Sequence, residues 1–152
     1  MEYIAPFVDK YNVVTGAIIA IATMVFGEHW WLFLAYFLLN VADWLTGWLK
    51  SRIKGTSSSA VGTIGVFKKL GYWIMIALGF GMSVIFIEIG LIIDVDLGIT
   101  VIFGWFVFAN LFVNEIRSII ENFVEAGYNV PTILKKGLAV ASDILENDES
   151  QE

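Results

Sequence analysis

The stretch LGYWIMIALGFGMSVIFIEIGLII, from Leu70 to Ile93, decides the fold class, because Glu88 is its only charged residue. As an α-helix it would extend about 36 Å, which is enough to cross the roughly 30 Å hydrocarbon core of a bilayer. The alternative is a buried core helix of a soluble protein, but such helices are seldom this long and this apolar. The segment is therefore predicted to span a membrane.

Three further apolar segments predict a polytopic bundle with four transmembrane helices. Hydrophobic residues make up 58% of the 152 residues, and the mean hydropathy is +0.77; both values are high for a soluble domain. The predicted crossings are residues 11–28, 30–49, 70–93 and 97–113. The first crossing is short, so lying in the membrane interface is the alternative for it. Only a tight turn at Gly27-Glu28-His29 separates it from the second crossing.

The distribution of charge predicts how these helices are oriented. Residues 50–69 carry five basic residues and no acidic one: Lys50, Arg52, Lys54, Lys68 and Lys69. The charged residues of the other two connections are all acidic. Because basic loops stay inside, this loop is predicted to be cytoplasmic, and four crossings then place both termini in the cytoplasm. Its basic residues are predicted to set the topology and contact anionic lipids, and its glycine and serine residues predict a flexible linker.

After residue 113 the chain is predicted to continue as an amphipathic helix outside the membrane. From Phe112 to Val124, apolar residues recur with the 3.6-residue period of an α-helix. This helix is predicted to end near Gly127, and Pro131 to open a second short helix. Residues 114–152 are thus predicted to form a cytoplasmic helical extension with an acidic tail. The residues predicted to contact other copies of the chain are Glu115, Ser118, Glu121 and Asn122.

Asp43 lies inside the second crossing, about 10 Å before the helix reaches Lys50. A carboxylate at that depth is costly unless it is paired, hydrated or protonated. Thr46 and Gly47 follow on nearby helical positions. Two interpretations are open: this face associates helices of different subunits or lines a pore, or Asp43 pairs with Lys50, Lys68 or Lys69 of its own subunit near the inner membrane interface.

A second helix-contact pattern lies in the third crossing. Gly79 and Ser83 are four residues apart, the small-xxx-small spacing that lets two helices approach closely. This spacing predicts that the third crossing packs tightly against another helix at that point.

Residues that enzymes and metal sites need are scarce. The sequence has no cysteine and one histidine, His29, which excludes thiol catalysis, disulfides and cysteine-based metal sites. It contains no phosphate-binding loop and no zinc-protease motif, and a net charge of −6 does not indicate nucleic-acid binding. The chain is predicted not to be an enzyme, with no catalytic residue, metal or cofactor. Its predicted partners are the lipid bilayer and further copies of itself.

Several segments together resemble one family, the phage holins grouped with clostridial toxin-secretion holins. The segments are Asp43-Trp44-Leu45-Thr46-Gly47, Ser57-Ser58-Ser59 with Gly62 and Gly65, Lys68-Lys69-Leu70, 114–122, and Gly127 with Val130-Pro131. Their order and spacing are similar to the family from about Trp30 to Leu145. The resemblance implies a homo-oligomer in the bacterial host cytoplasmic membrane. It further implies that this oligomer opens lesions through which an endolysin or a toxin passes.

Two other functions are open on the residues alone. A small ion channel or transporter would need polar residues in several crossings, whereas Asp43 is the only charged residue well inside one. A non-conducting membrane scaffold would use the amphipathic residues 112–145 to recruit a cytoplasmic partner.

Overall fold

The computed structural model describes residues 5–56 and 59–147, and these residues form helices joined by short connections. The helices are α1, Ala5–Phe26; α2, Trp30–Ile53; α3, Ser59–Ile93; α4, Val101–Glu125; and α5, Thr132–Asn147, with a short 3-10 helix, Gly98–Thr100, before α4. The predicted all-helical class is confirmed. Ser57-Ser58 of the predicted linker and residues 148–152 of the predicted acidic tail lie outside the described residues.

Three helices within the described residues are long and apolar enough to cross a membrane. They are Trp30–Ile53, Gly62–Ile93 and Gly98–Glu125. The apolar part of α1, Asn12–Met24, is shorter. Three predicted crossings therefore have a helix of sufficient length, and the crossing at 11–28 stays a prediction.

The chain divides into two compact units between Leu38 and Leu39, within α2. In the first unit, a turn that follows Phe26 joins α1 to the start of α2. The rings of Phe26 and Phe33 stack across this turn with their centroids 5.0 Å apart. The predicted tight turn between these two helices is confirmed.

The second unit contains an antiparallel hairpin of α3 and α4, in which the two helices approach each other closely at two glycines. A Cβ on Gly79 would lie 3.1 Å from the Cα of Gly104, and a Cβ on Gly104 would lie 2.4 Å from the ring of Phe80. One turn further along α3, the hydroxyl of Ser83 lies 2.7 Å from the carbonyl oxygen of Thr100. The tight helix contact predicted from Gly79 and Ser83 is confirmed, and both of its helices belong to one chain.

The basic segment between the second and third crossings is more helical than predicted. α2 continues to Ile53, and α3 already begins at Ser59, well before the predicted crossing at Leu70. Gly62 and Gly65 lie inside α3 instead of in a flexible linker. The prediction of a flexible linker is wrong for these residues. A glycine costs a helix only about 1 kcal/mol, and the apolar residues around these two extend the α3 pattern.

α4 continues without a break past the predicted membrane exit at residue 113 and ends at Glu125, two residues before Gly127, whose φ is +91°. The ending is a Schellman motif, in which the N–H of Gly127 donates to the carbonyl oxygen of Val124 and that of Tyr128 to the carbonyl oxygen of Phe123, each at 3.0 Å. α5 follows directly after Pro131. The predicted end of this helix and the start of the next are both confirmed.

Candidate functional site

Lys69, on α3, lies at the centre of a polar cluster that joins three helices of the second unit. Its ammonium group lies 2.8 Å from Oδ2 of Asp43 on α2. It also forms an ion pair and hydrogen bond with Oε2 of Glu115 on α4. The three side chains are 15%, 16% and 2% exposed, respectively. One ammonium group thus forms ion pairs with two carboxylates that are largely shielded from solvent.

Asn122, on α4, completes this cluster from the other side of Asp43. Its Nδ2 donates to Oδ1 of Asp43 at 2.9 Å and lies 3.3 Å from Oγ1 of Thr46. The hydroxyl of Thr46 in turn donates to the backbone carbonyl oxygen of Asp43 at 3.0 Å. Both carboxylate oxygens of Asp43 therefore have a partner within the chain. We call Asp43, Thr46, Lys69, Glu115 and Asn122 the Lys69 cluster.

Local helix geometry explains why these residues meet. Glu115 and Asn122 are seven residues, about two turns, apart, so they share one face of α4. Asp43 and Gly47 are one turn apart on α2, and Gly47 leaves room for the amide that faces it. A Cβ at Gly47 would lie 3.5 Å from Nδ2 of Asn122, at van der Waals distance, so α2 and α4 approach each other closely at this position.

A second set of ion pairs lies where α2 and α4 end. The carboxylate of Glu125 lies 2.6 Å from Nζ of Lys54 and 3.6 Å from Nζ of Lys50. The guanidinium group of Arg52 lies 5.0 Å from the ring centroid of Trp48 on the same helix. Exposed pairs of this kind stabilise a protein little. They do show that the end of α4 lies beside the basic end of α2.

The Lys69 cluster brings together residues of α2 and residues of α4 that were predicted to have separate roles. Asp43, Thr46 and Gly47 were predicted to associate helices, and they face α4 of their own chain. Of the two interpretations of Asp43, the structure shows pairing within the subunit, with Lys69 as the cation. Lys68, its neighbour in sequence, is exposed.

The residues predicted to contact other copies do not share one surface. Glu115 and Asn122 are buried, at 1% and 6% exposure, because they belong to the Lys69 cluster. A contact between either residue and a second copy would require the cluster to open. Ser118 is half-buried and Glu121 is exposed, so their role in an oligomer stays a prediction.

Sequence reasoning missed the link between α3 and α4 at this site. The available signal was that a carboxylate inside the membrane needs a partner. Because Glu115 was assigned to a segment outside the membrane, no partner was expected for it. Glu125 was also missed as the partner of Lys50 and Lys54. Within residues 5–56 and 59–147, no group of three or more His, Cys, Asp or Glu side chains is placed to hold a metal ion.

Comparison with known proteins confirms the family resemblance. The chain matches the bacteriophage holin family over residues 20–143. An uncharacterized protein of Halalkalibacterium halodurans is 28% identical over 138 residues, covering 90% of this chain and 95% of that protein. Uncharacterized proteins of Listeria innocua and Listeria monocytogenes are 32% identical over 132 residues and 34% identical over 116 residues. These matches cover 87% and 76% of this chain, and 86% and 75% of those proteins. No solved structure matches the chain.

Proposed function

The chain belongs to the bacteriophage holin family, and from this we propose that it forms oligomers in the bacterial cytoplasmic membrane that open lesions. An endolysin, or a toxin, leaves the cell through these lesions. The observation that carries the proposal is the family match over residues 20–143, a region that includes all three candidate membrane-spanning helices of the described chain.

The exposed apolar surface of the helices supports a protein that assembles within lipid. Leu91 and Ile92 near the end of α3 are 73% and 83% exposed, and Phe103 on α4 is 50% exposed. Surfaces of this kind face acyl chains or other helices. A bundle of so few helices has a core filled by side chains, so a lesion that passes a folded enzyme needs many copies.

The Lys69 cluster supplies polar groups that can face water once such a lesion opens. Charged residues at membrane depth usually face a bundle interior or an aqueous cavity. In the closed subunit, Asp43, Lys69 and Glu115 satisfy one another. In the lesion the same side chains line the water-filled edge, and separating them sets part of the barrier to opening.

The orientation is part of the proposal. The basic end of α2 lies in the cytoplasm by the positive-inside rule, and Glu125 beside it puts the end of α4 on the same side. Four crossings would place the N-terminus in the cytoplasm as well. Because the chain has no cysteine, the variant Asn12→Cys tests this. A membrane-impermeant thiol reagent applied to intact spheroplasts labels it only after lysis if α1 crosses, and before lysis if α1 does not.

Expression in a bacterium together with an endolysin that lacks a secretion signal tests the function. Abrupt lysis is expected when both proteins are present, with loss of membrane potential and release of a cytoplasmic enzyme. Normal growth and an intact membrane potential at high expression would overturn the proposal. Selective ion flux without release of macromolecules would indicate a channel instead. A stable cytoplasmic partner without any leakage would indicate a scaffold.

The variant Asp43→Asn tests the role of the Lys69 cluster in timing. It removes one charge from the cluster by replacing the carboxylate with an amide of the same shape, so insertion should be unchanged and the time of lysis should shift. Lys68→Gln is the matched control, because this neighbouring lysine is exposed. If the two variants lyse cells at the same time as the parent at equal protein levels, Asp43 does not influence opening.

A further inference from the structure

The charges of the Lys69 cluster do not balance when all three of its ionisable groups are charged. Lys69 supplies one positive charge, and Asp43 and Glu115 supply one negative charge each. The three side chains are 15%, 16% and 2% exposed, so little water is available to offset the surplus negative charge. A carboxyl group that is taken out of water without a balancing partner becomes neutral by binding a proton. One proton would therefore make the cluster neutral.

The surroundings of Glu115 do not supply a second positive charge. Within the described part of the chain, the charged side chains that act on it are Lys69 from α3 and Asp43 from α2. Arg117, two residues further along α4, lies about 160° round the helix from it. Lys68, next to Lys69, is exposed. The surplus negative charge of the cluster thus has no counter-ion among the described residues.

The hydrogen bonds of the two carboxyl groups indicate which one holds the proton. Both oxygens of Asp43 have a donor: Oδ2 lies 2.8 Å from the ammonium group of Lys69, and Oδ1 accepts from Nδ2 of Asn122 at 2.9 Å. Donors on both oxygens favour the charged form of a carboxyl group. Glu115 is the more deeply buried of the two, which favours its neutral form. A protonated Glu115 can still accept the hydrogen bond from Lys69, through its carbonyl oxygen.

We propose that Glu115 holds a proton in the closed subunit and releases it to water when a lesion opens. Lys69 and Asp43 then form the ion pair of the closed cluster, and the contact between Lys69 and Glu115 is a hydrogen bond to a neutral carboxyl group. The presence of the proton concerns the closed subunit alone. Its release rests on the proposed function, in which the cluster faces the water of the lesion and Glu115 ionises there.

Release of this proton gives opening a defined dependence on pH. The open state binds one proton fewer per subunit than the closed state, so a higher pH favours the open state. The ratio of open to closed subunits should rise by up to about tenfold for each pH unit. This rise covers the pH range in which Glu115 is protonated in the closed subunit and ionised in the lesion.

Infrared spectroscopy of the full chain in mild detergent at neutral pH tests whether the proton is present. A protonated carboxyl group has a carbonyl stretching band that a carboxylate lacks, and acidic residues in water are ionised at this pH. The band should shift when the glutamate carboxyl carbons are carbon-13, stay when those of aspartate are, and be absent from Glu115→Gln. Glu88→Gln is the matched control and should keep the band, because this carboxylate is exposed on α3. A parent without the band, or a band that shifts with labelled aspartate, would overturn the proposal.

Release of a dextran from vesicles that have equal pH and salt on both sides tests the coupling to opening. Release by the parent and by Glu88→Gln should become faster as the pH is raised. Glu115→Gln should lose this dependence, because its amide does not ionise. Equal pH dependence in Glu115→Gln and the parent, or none in the parent, would overturn the coupling. If the infrared band is present and no dextran is released at any pH, the proposed lesion fails and the proton on Glu115 stands.

Discussion

The substitution Lys69→Met removes the cation that Asp43 and Glu115 share. Methionine keeps an unbranched side chain of similar length and a high helix propensity, so the change acts through charge. The two carboxylates it leaves behind are 16% and 2% exposed, so solvent does not replace the lost partner. The α2–α3 and α3–α4 links through Lys69 are both lost.

The expected loss follows from the burial of the partners. Removing one member of a buried ion pair costs about 3 to 5 kcal/mol, because the other charge stays buried and unpaired. Asp43 keeps its hydrogen bond from Asn122, and a stranded carboxylate can take up a proton, which limits the cost. We therefore expect about 3 kcal/mol, which is roughly a hundredfold change in the folding equilibrium.

Reversible unfolding from mild detergent into sodium dodecyl sulfate, followed by the fluorescence of the six tryptophans, measures this loss. Lys68→Met is the matched control, since the neighbouring lysine is exposed, and it should change the free energy of unfolding by less than about 0.5 kcal/mol. A similar small loss in both variants would refute a stabilising role for the cluster. Adding Asp43→Asn and Glu115→Gln to Lys69→Met should recover part of the loss, because no buried charge then lacks a partner.

Three further substitutions probe other contacts in the same unfolding assay. Gly104→Ala should cost about 1 to 3 kcal/mol, because the new Cβ would lie 2.4 Å from the facing phenylalanine ring. Gly81→Ala is the control: its Cβ meets nothing within 4 Å, so it should stabilise the helix by up to about 1 kcal/mol. Equal losses in the two variants would contradict the close approach of α3 and α4. Asn122→Ala should cost about 1 to 3 kcal/mol by removing a buried amide donor, whereas Glu121→Ala, at an exposed neighbouring position, should change little. Gly127→Ala should cost about 1 to 2 kcal/mol, because φ is +91° at this residue. Proteolysis between α4 and α5 should also become faster. An unchanged cleavage rate would argue against the Schellman motif at the end of α4.

Most of the helical layout could be predicted because its causes are local. The length of the apolar segments predicted α2, α3 and the first part of α4, and Gly127 and Pro131 predicted where α4 ends and α5 begins. The linker prediction at Gly62 and Gly65 was wrong because composition was given more weight than the apolar pattern that continues into α3. Helix propensity differences of about 1 kcal/mol are easily overridden by such a pattern.

The site was predicted only in part, because its contacts join residues far apart in sequence. Asp43 was singled out by the cost of a charge inside a membrane, which depends on its own position alone. Glu115 and Asn122 were also singled out, but on a helical segment that was expected to be outside the membrane and to face other copies. The packed structure turns their face of α4 inward, toward α2 and Lys69.

The sequence by itself determined that this is a helical membrane protein of the bacteriophage holin family, because apolar length, charge distribution and short motifs can be read along the chain. It also determined that Asp43 needs a partner. Lys50, Lys68 and Lys69 each carry the required charge, so the choice among them was left to the tertiary structure. The packing of α2, α3 and α4 brings the ammonium group of Lys69 within 2.8 Å of Asp43 and leaves Lys68 exposed. An ion pair depends on distances across the packed helices, and spacing along the chain does not determine those distances.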